Sequence, residues 1–334
     1  MILVTGCAGY IGSHCTLALL EKGYNVVGFD NFSTGHKPTI ATLEKIGQEN
    51  FRFIEGDLLN PKDLRKAFEN QIDAVIHFAA FSQVAESVTK PARYYKNNVL
   101  GSLNLLDTMR AFNVNKIVFS STAAVYGEPN IVPIKETAPL KPINPYGKTK
   151  LIIENIMDDY DKAYGLKSIR LRYFNVAGAD NKARIGEWHE PETHLIPNIL
   201  KSTFNTGKAF EIYGTDYNTK DGTCVRDYIN IEDLVNAHLL ALEYLKKGGE
   251  TNFFNLGTKE GNSVKEVFEL CKTTTGQNID VTYKNRREGD PATLIADNKK
   301  ANTILQWEPK KTLEDSIRTA YNWEKTLQKG LGNA

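Results

Sequence analysis

Short apolar runs and longer stretches of helical spacing alternate through the first half of the chain. Ile2–Thr5, Asn25–Asp30, Phe51–Glu55, Ala74–Phe78, Lys116–Ser121 and Ser168–Tyr173 are brief and largely apolar, the pattern of strands buried on both faces. Between them Tyr10–Lys22, Pro38–Glu49, Pro61–Glu69, Pro91–Phe112 and Pro145–Tyr164 have helical spacing; in the first, Ile11, Leu17 and Leu20 fall near one face. Strand–helix alternation of this length predicts an α/β fold with a doubly wound parallel sheet and helices on both faces.

After Asn175 the texture changes. Residues 176–225 are rich in Gly, Asn, Asp and Pro, with one predicted helix near Leu195–Phe204. Ile231–Leu245 again reads as a helix, Asn252–Leu256 as a strand that rejoins the large sheet, and 263–328 as short helices with a strand. The expected division is therefore 1–175 plus about 226–257 for the large domain, and 176–225 with 258–334 for a smaller α/β domain.

Composition narrows the function classes. The 334 residues hold 41 Lys+Arg against 40 Asp+Glu, a net charge of +1, so no global field draws the chain to nucleic acid or an acidic membrane. No run of 18 apolar residues occurs and no charged segment precedes the first strand, so neither a membrane span nor a signal peptide is expected. Cys7, Cys15, Cys224 and Cys271 form no Cys-x-x-Cys pair and read as reduced thiols, which points to the cytoplasm.

The strand Ile2–Thr5 runs into Gly6-Cys7-Ala8-Gly9-Tyr10-Ile11-Gly12 at the start of a helix. Glycines there let the backbone turn tightly and approach a pyrophosphate, which the helix N-terminus then meets with unpaired N–H groups. The second strand ends at Asp30, eighteen residues after Gly12. A carboxylate in that place accepts from the adenosine ribose hydroxyls and repels a 2′-phosphate, which favours NAD over NADP. Asp57 ends the third strand near the expected adenine edge, and Phe78-Ala79-Ala80 ends the fourth with small residues that let a cofactor pass. Tyr10, Ile11, Asn31 and Leu58 accompany these as cofactor contacts. This is the pattern of a Rossmann-type sheet.

The fifth strand ends at Ser120-Ser121-Thr122, and Tyr146 and Lys150 follow at a helical spacing of four, on one face. A free phenol has a pKa of about 10. Bringing it near 7 requires ~4 kcal/mol, which one cation at about 4 Å supplies at an effective dielectric of about 20. Lys150, together with a positive nicotinamide, is expected to make Tyr146 a general base, with the Thr122 hydroxyl bonding both substrate and phenol. Tyr321 and Lys325 repeat the spacing, but no strand-end hydroxyl precedes them, so that copy reads as surface.

With these motifs in place, the chain resembles the extended short-chain dehydrogenase/reductase family, and within it the UDP-glucose 4-epimerase branch. The resemblance runs the whole length, through Glu55-Gly56-Asp57, Tyr94-Tyr95-x-Asn97-Asn98-Val99, Leu171-Arg172-Tyr173-Phe174-Asn175, Asp221–Tyr228, Asn255-Leu256-Gly257 and Arg286-Arg287-Glu288-Gly289-Asp290. It implies tightly held NAD regenerated in each turnover, a UDP-hexose (UDP-glucose or UDP-galactose) as substrate, inversion at C4 through a 4-keto sugar, and a homodimer formed through Leu103–Phe112 and Leu151–Tyr164. It also implies that Asn98, Tyr173 and Phe174 face the cofactor. On the substrate side it places Asn175, His194, Leu195, Arg226 and Arg287 at the diphosphate, Asp290 at the uridine ribose, and the backbone near Glu211–Tyr213 at uracil.

Departures from the family pattern are informative. His194 stands where many relatives have Asn, and Phe81-Ser82 where some have a Lys near the cofactor phosphates. Leu294 takes the place of a bulky Tyr, leaving room for the N-acetyl group of UDP-GlcNAc or UDP-GalNAc. Thr122 is followed by Ala123-Ala124, not by the Asp-Glu that a 4,6-dehydratase needs for elimination. Two more functions compete on the same fold: a UDP-glucuronate 4-epimerase, and a non-catalytic NAD-binding sensor, which would tend to lose Tyr146 or Lys150. His189 and His194 are five apart with Pro191 between them, off any shared helix face, so no metal is expected.

Overall fold

The computed structural model describes residues 1–204, 209–286 and 291–331. In chain order the first half runs β1 (Ile2–Thr5), α1 (Tyr10–Glu21), β2 (Val26–Asp30), α2 (Lys37–Gly47), β3 (Phe51–Glu55), α3 (Pro61–Phe68), β4 (Ala74–His77), α4 (Val84–Thr89), α5 (Pro91–Tyr94), α6 (Gly101–Ala111), β5 (Lys116–Ser120), α7 (Pro145–Tyr164) and β6 (Lys167–Tyr173). The second half runs β7 (Asn175–Ala177), α8 (Leu195–Ser202), β8 (Phe210–Tyr213), β9 (Val225–Asn230), α9 (Ile231–Lys246), β10 (Asn252–Leu256), β11 (Gly261–Ser263), α10 (Val264–Thr275), β12 (Val281–Lys284), β13 (Thr293–Leu294), α11 (Lys299–Leu305) and α12 (Leu313–Leu331).

Seven strands form one parallel sheet in the order β10-β6-β5-β4-β1-β2-β3. Its central strands are buried on both faces, which is why they read as unbroken apolar runs. One apolar cluster joins α1, α2 and α9 to one face; the other packs α3, α6 and α7 on the opposite face. The strand order reverses direction between β1 and β4, so a crevice opens at the carboxyl ends of these strands, where ligands of open α/β sheets bind.

The chain beyond β6 caps that crevice. β10 returns to the large sheet beside β6, with Phe254 opposite Leu171. β9 joins β11, β13 and β7 in a small sheet, and α9 follows it on the way back to the large sheet at β10. β8 and β12 form a separate parallel pair. A third apolar cluster, built on Ile199, Phe268 and Ile317, holds α8, α10 and α12 together. No helix among the described residues is long and apolar enough to cross a membrane.

Candidate active site

A cavity of about 750 Å³ runs along the carboxyl ends of the sheet from Asp30 to Leu294. Its floor at one end is the β1–α1 turn. Gly6 sits there at φ +74, and a Cβ on it would lie 2.7 Å from the Ala79 nitrogen. A Cβ on Gly12 would lie 2.1 Å from the Gly6 carbonyl oxygen, so the turn closes on the helix only with glycine. No side chain caps α1, and the backbone of Tyr10, Ile11 and Gly12 borders the cavity with N–H groups that lack partners within the helix.

Asp30 lies at the tip of β2, where Ala8 N–H donates to Oδ2 at 3.0 Å and Phe32 N–H to Oδ1 at 2.8 Å. Burial raises its pKa, and these backbone donors oppose the rise. Asn31 bridges to Asp57 at 3.1 Å, and Leu58, Phe78, Ala79 and Ala80 continue the same wall. The glycine cradle, the exposed helix N-terminus and a strand-end carboxylate together fit a dinucleotide with free ribose hydroxyls.

At the centre, α7 presents Tyr146 and Lys150 to the cavity opposite Thr122, at the end of β5. Asn144 accepts from Gly147 N–H at 2.9 Å and Pro145 occupies the first turn, which fixes where α7 begins. Lys150 Nζ donates to the Ser120 carbonyl at 2.7 Å and lies 6.0 Å from the Tyr146 ring centroid. The Thr122 hydroxyl faces the Tyr146 phenol and favours its ionised form, and Ala124 N–H donates to Thr122 Oγ1 at 3.1 Å. Ala123 and Ala124 line the wall, with no carboxylate in the place a dehydratase needs one.

The protein's own groups supply only part of the expected electrostatics. Burial pushes the Tyr146 phenol up to about 12, with Thr122 offsetting only part of the rise. Burial also pulls Lys150 down to about 7, against the pull of Glu154. With the protein's own groups alone, then, Lys150 does not bring the phenol near 7. Spacing fixes their shared face, whereas burial determines which loses its proton first.

Tyr173, Phe174, Asn175, His194, Leu195, Arg226 and Leu294 all line the cavity. The Tyr173 hydroxyl meets Ser120 Oγ at 2.5 Å. Arg226 donates to the Val225 and Pro291 carbonyls at 2.9 and 2.8 Å, and Leu294 pairs with it in the β9–β13 register. Ser82 borders the cavity where some relatives have Lys.

Two sets of expected residues are not among those that line the cavity. Asn98 does not line the cavity: its amide is fully buried, bonding the Phe81 backbone at 2.9 and 3.0 Å and Thr149 at 3.2 Å. A π-helical turn over Tyr95–Leu100 shifts the helix register, and Asn97 lines the cavity instead. Glu211 and Tyr213 lie off the cavity in the β8–β12 pair, where the Tyr213 hydroxyl donates to the Glu211 carboxylate at 2.6 Å. Arg287 and Asp290 fall outside the described residues.

The loop before α8 holds a cluster that helical spacing could not reveal. One ligand-type atom from each of Glu187, His189 and His194 lies within 4.8 Å of the others. His194 Nδ1 is 3.0 Å from Glu187 and 2.8 Å from Glu192. Desolvation lowers the imidazolium's pKa, but the two carboxylates outweigh this and hold His194 at about 9. His77 is structural: buried between Thr5 at 2.6 Å and Ser102 at 2.9 Å, it is pulled down to about 3 and stays neutral.

The family described as GDP-mannose 4,6 dehydratase matches residues 3–320. A UDP-glucose 4-epimerase of Lactobacillus helveticus is 50% identical over 98% of each chain. The structure of a UDP-glucose 4-epimerase from Bifidobacterium longum, in complex with NAD+ and UDP, superposes with a TM-score of 0.93 at 38% identity, over 98% of this chain and 99% of the other. A UDP-Glc/GlcNAc 4-epimerase from Campylobacter jejuni gives a TM-score of 0.84 at 42% identity, over 97% and 99%.

Proposed function

The chain belongs to the UDP-glucose 4-epimerase branch of the extended short-chain dehydrogenases/reductases, and from that premise we propose how its residues divide the reaction. It is an NAD-dependent enzyme that inverts C4 of a UDP-hexose through a transient 4-keto sugar. Held at the turn of Gly6, Gly9 and Gly12, NAD would supply the acceptor and donor for the C4 hydride.

Tyr146 Oη takes the proton from the sugar 4-hydroxyl and gives it back to the opposite configuration. Thr122, facing that phenol, orients the hydroxyl and relays the proton. Lys150, whose Nζ lies 6.0 Å from the Tyr146 ring centroid, stabilises the phenolate. Gly6, Gly9, Tyr10, Ile11 and Gly12 receive the dinucleotide pyrophosphate, Asp30 its adenosine ribose, and Tyr173 and Phe174 border the nicotinamide end. On the sugar-nucleotide side Arg226, His194, Asn175 and the N-terminus of α8 at Leu195 meet the diphosphate; Arg287 and Asp290 are assigned there by their sequence motif. Tyr146 and Lys150 are only 8% and 3% exposed, so proton transfer proceeds away from bulk water.

The observation that carries this reading is Tyr146, Lys150 and Thr122 facing one cavity that also holds the glycine cradle. The test is incubation of the purified protein with UDP-galactose, without added cofactor. Formation of UDP-glucose, abolished in Tyr146→Phe while NAD and UDP remain bound, supports it; undiminished turnover in Tyr146→Phe rejects the assignment of the base. A requirement for added NAD(H) would point to a net dehydrogenase instead.

A second activity rests on Leu294, whose short side chain borders the sugar end of the cavity. We propose that UDP-GlcNAc and UDP-GalNAc are interconverted as well. We also propose a homodimer through α6 and α7, where Tyr164 at the end of α7 is 52% exposed and Leu100, just before α6, is 43% exposed. Size-exclusion chromatography with light scattering distinguishes dimer from monomer.

A further inference from the structure

Behind the catalytic lysine lies a buried charge network that the proposed mechanism does not use. Glu154 stands one turn beyond Lys150 on α7, only 1% exposed. Its carboxylate accepts from Ser121 Oγ at 2.5 Å and from Arg172 Nε at 3.0 Å, and it also pairs with the second Arg172 nitrogen. Arg172, on β6, is 2% exposed and donates to the Tyr126 hydroxyl at 2.9 Å, which in turn donates to Asn255 at 2.7 Å. Adjacent residues at the end of β5 thus hold both groups: Ser120 through its carbonyl holds Lys150, and Ser121 through its hydroxyl holds Glu154.

Among the described residues, the groups set against Lys150 are few. α7 contributes Tyr146 and Glu154, β5 the Phe119 ring and the Ser120 carbonyl, and β4 the neutral His77. Glu154 is the one carboxylate of that set, and it acts on Lys150 against the desolvation that strips its proton. A buried ion pair is weak evidence of added stability, because desolvation consumes most of the attraction. What Glu154 supplies here is a negative charge one helical turn from an ammonium that must remain charged while Tyr146 ionises.

We propose that Glu154 is a positioning residue for catalysis, with Arg172 and Ser121 locking its carboxylate one helical turn from Lys150, where it favours the ammonium over the neutral amine. The proposal rests on the role assigned above to Lys150. Activity needs the ammonium, so it falls as pH rises through the lysine pKa. Without Glu154 that fall begins at lower pH.

The experiment is the pH profile of kcat with UDP-galactose for wild type, Glu154→Gln and Glu154→Asp, alongside phenolate absorbance in the near ultraviolet with Tyr146→Phe as blank. In Glu154→Gln the basic limb moves to lower pH by about one unit, and the phenolate signal at the plateau falls up to about tenfold. Glu154→Asp keeps the charge and stays close to wild type. In a Lys150→Met background, Glu154→Gln changes neither readout further. Should Glu154→Gln not fold, because Arg172 is left buried and unpaired, Glu154→Gln/Arg172→Met replaces it, with a smaller shift in the same direction. An unmoved basic limb in the folded variant overturns the proposal, as does a Glu154→Asp shift as large as that of Gln. An inactive wild type overturns the functional reading itself, a different outcome from an active wild type with an insensitive profile.

Discussion

Replacing Lys150 by Met removes the cation that faces the phenol while keeping most of the side chain's bulk. The ammonium lies 6.0 Å from the Tyr146 ring centroid. At an effective dielectric of about 20, that separation is worth about 2.8 kcal/mol to the phenolate, or about 2 pKa units. Below the phenol's pKa the ionised fraction falls tenfold per unit, so kcat at pH 7 should drop ~100-fold. Stability should move the other way. Burial lowers the lysine from 10.5 to about 7, so the folded state binds fewer protons than the unfolded one between those values. The cost is fully present below pH 7, on the order of 5 kcal/mol, and disappears as pH rises toward 10.5. Loss of the Ser120 bond offsets about 1 kcal/mol. Lys150→Met should therefore melt higher than wild type at pH 6, with the difference shrinking at pH 9. The assays are initial rates on UDP-galactose at matched NAD content and calorimetric Tm at both pH values. A variant within threefold of wild-type kcat, or one that melts lower at pH 6, refutes the electrostatic reasoning.

Other expectations follow from single contacts. Gly12→Ala drives a Cβ to 2.1 Å from the Gly6 carbonyl, so the purified variant should lose most of its NAD, read from absorbance and extraction. His194 is raised above its ordinary value to about 9, so its charge is complete below about 6.5 and lost as pH rises through 9. Any stabilisation it gives follows the same course, and KM for the UDP-sugar should be flat to pH 8 and climb beyond 9, a climb absent from His194→Asn. Leu294→Tyr fills the sugar end of the cavity and should cut kcat/KM for UDP-GlcNAc at least tenfold while changing UDP-galactose turnover little.

Features that are local in the chain are legible in its sequence. The glycine turn, the strand-end carboxylate and the four-residue step between Tyr146 and Lys150 each depend on backbone geometry within one unit, and each lines the cavity. Contacts set by register or distance are not. The π turn moves Asn97 onto the cavity and buries Asn98 because it adds a residue to the helical turn, which no apolar spacing announces. The His189–His194 cluster comes from an irregular loop, for which a helix-face argument gives the wrong geometry. Glu154 finds Arg172 across eighteen residues and two elements, a pairing that only the fold creates.

The sign of the catalytic electrostatics is the least legible feature, and it has one cause. A spacing argument counts charges but not the water they lose. Charging Tyr146 and Lys150 in a site that excludes water costs both of them, and the phenol rises to about 12 as the lysine falls to about 7. The two shifts together separate the groups by roughly 5 pKa units, more than the ~2 units their attraction returns. Without the cofactor the phenol therefore stays neutral at pH 7 while the lysine is only partly charged. A working base needs further stabilisation of the charged form, and two groups act on it: the positive nicotinamide when it is bound, and the carboxylate of Glu154, whose pull the lysine already feels at about 7. Because the first comes with the cofactor and the second is permanent, the phenolate signal should rise when NAD binds and should be smaller in Glu154→Gln at every degree of NAD occupancy.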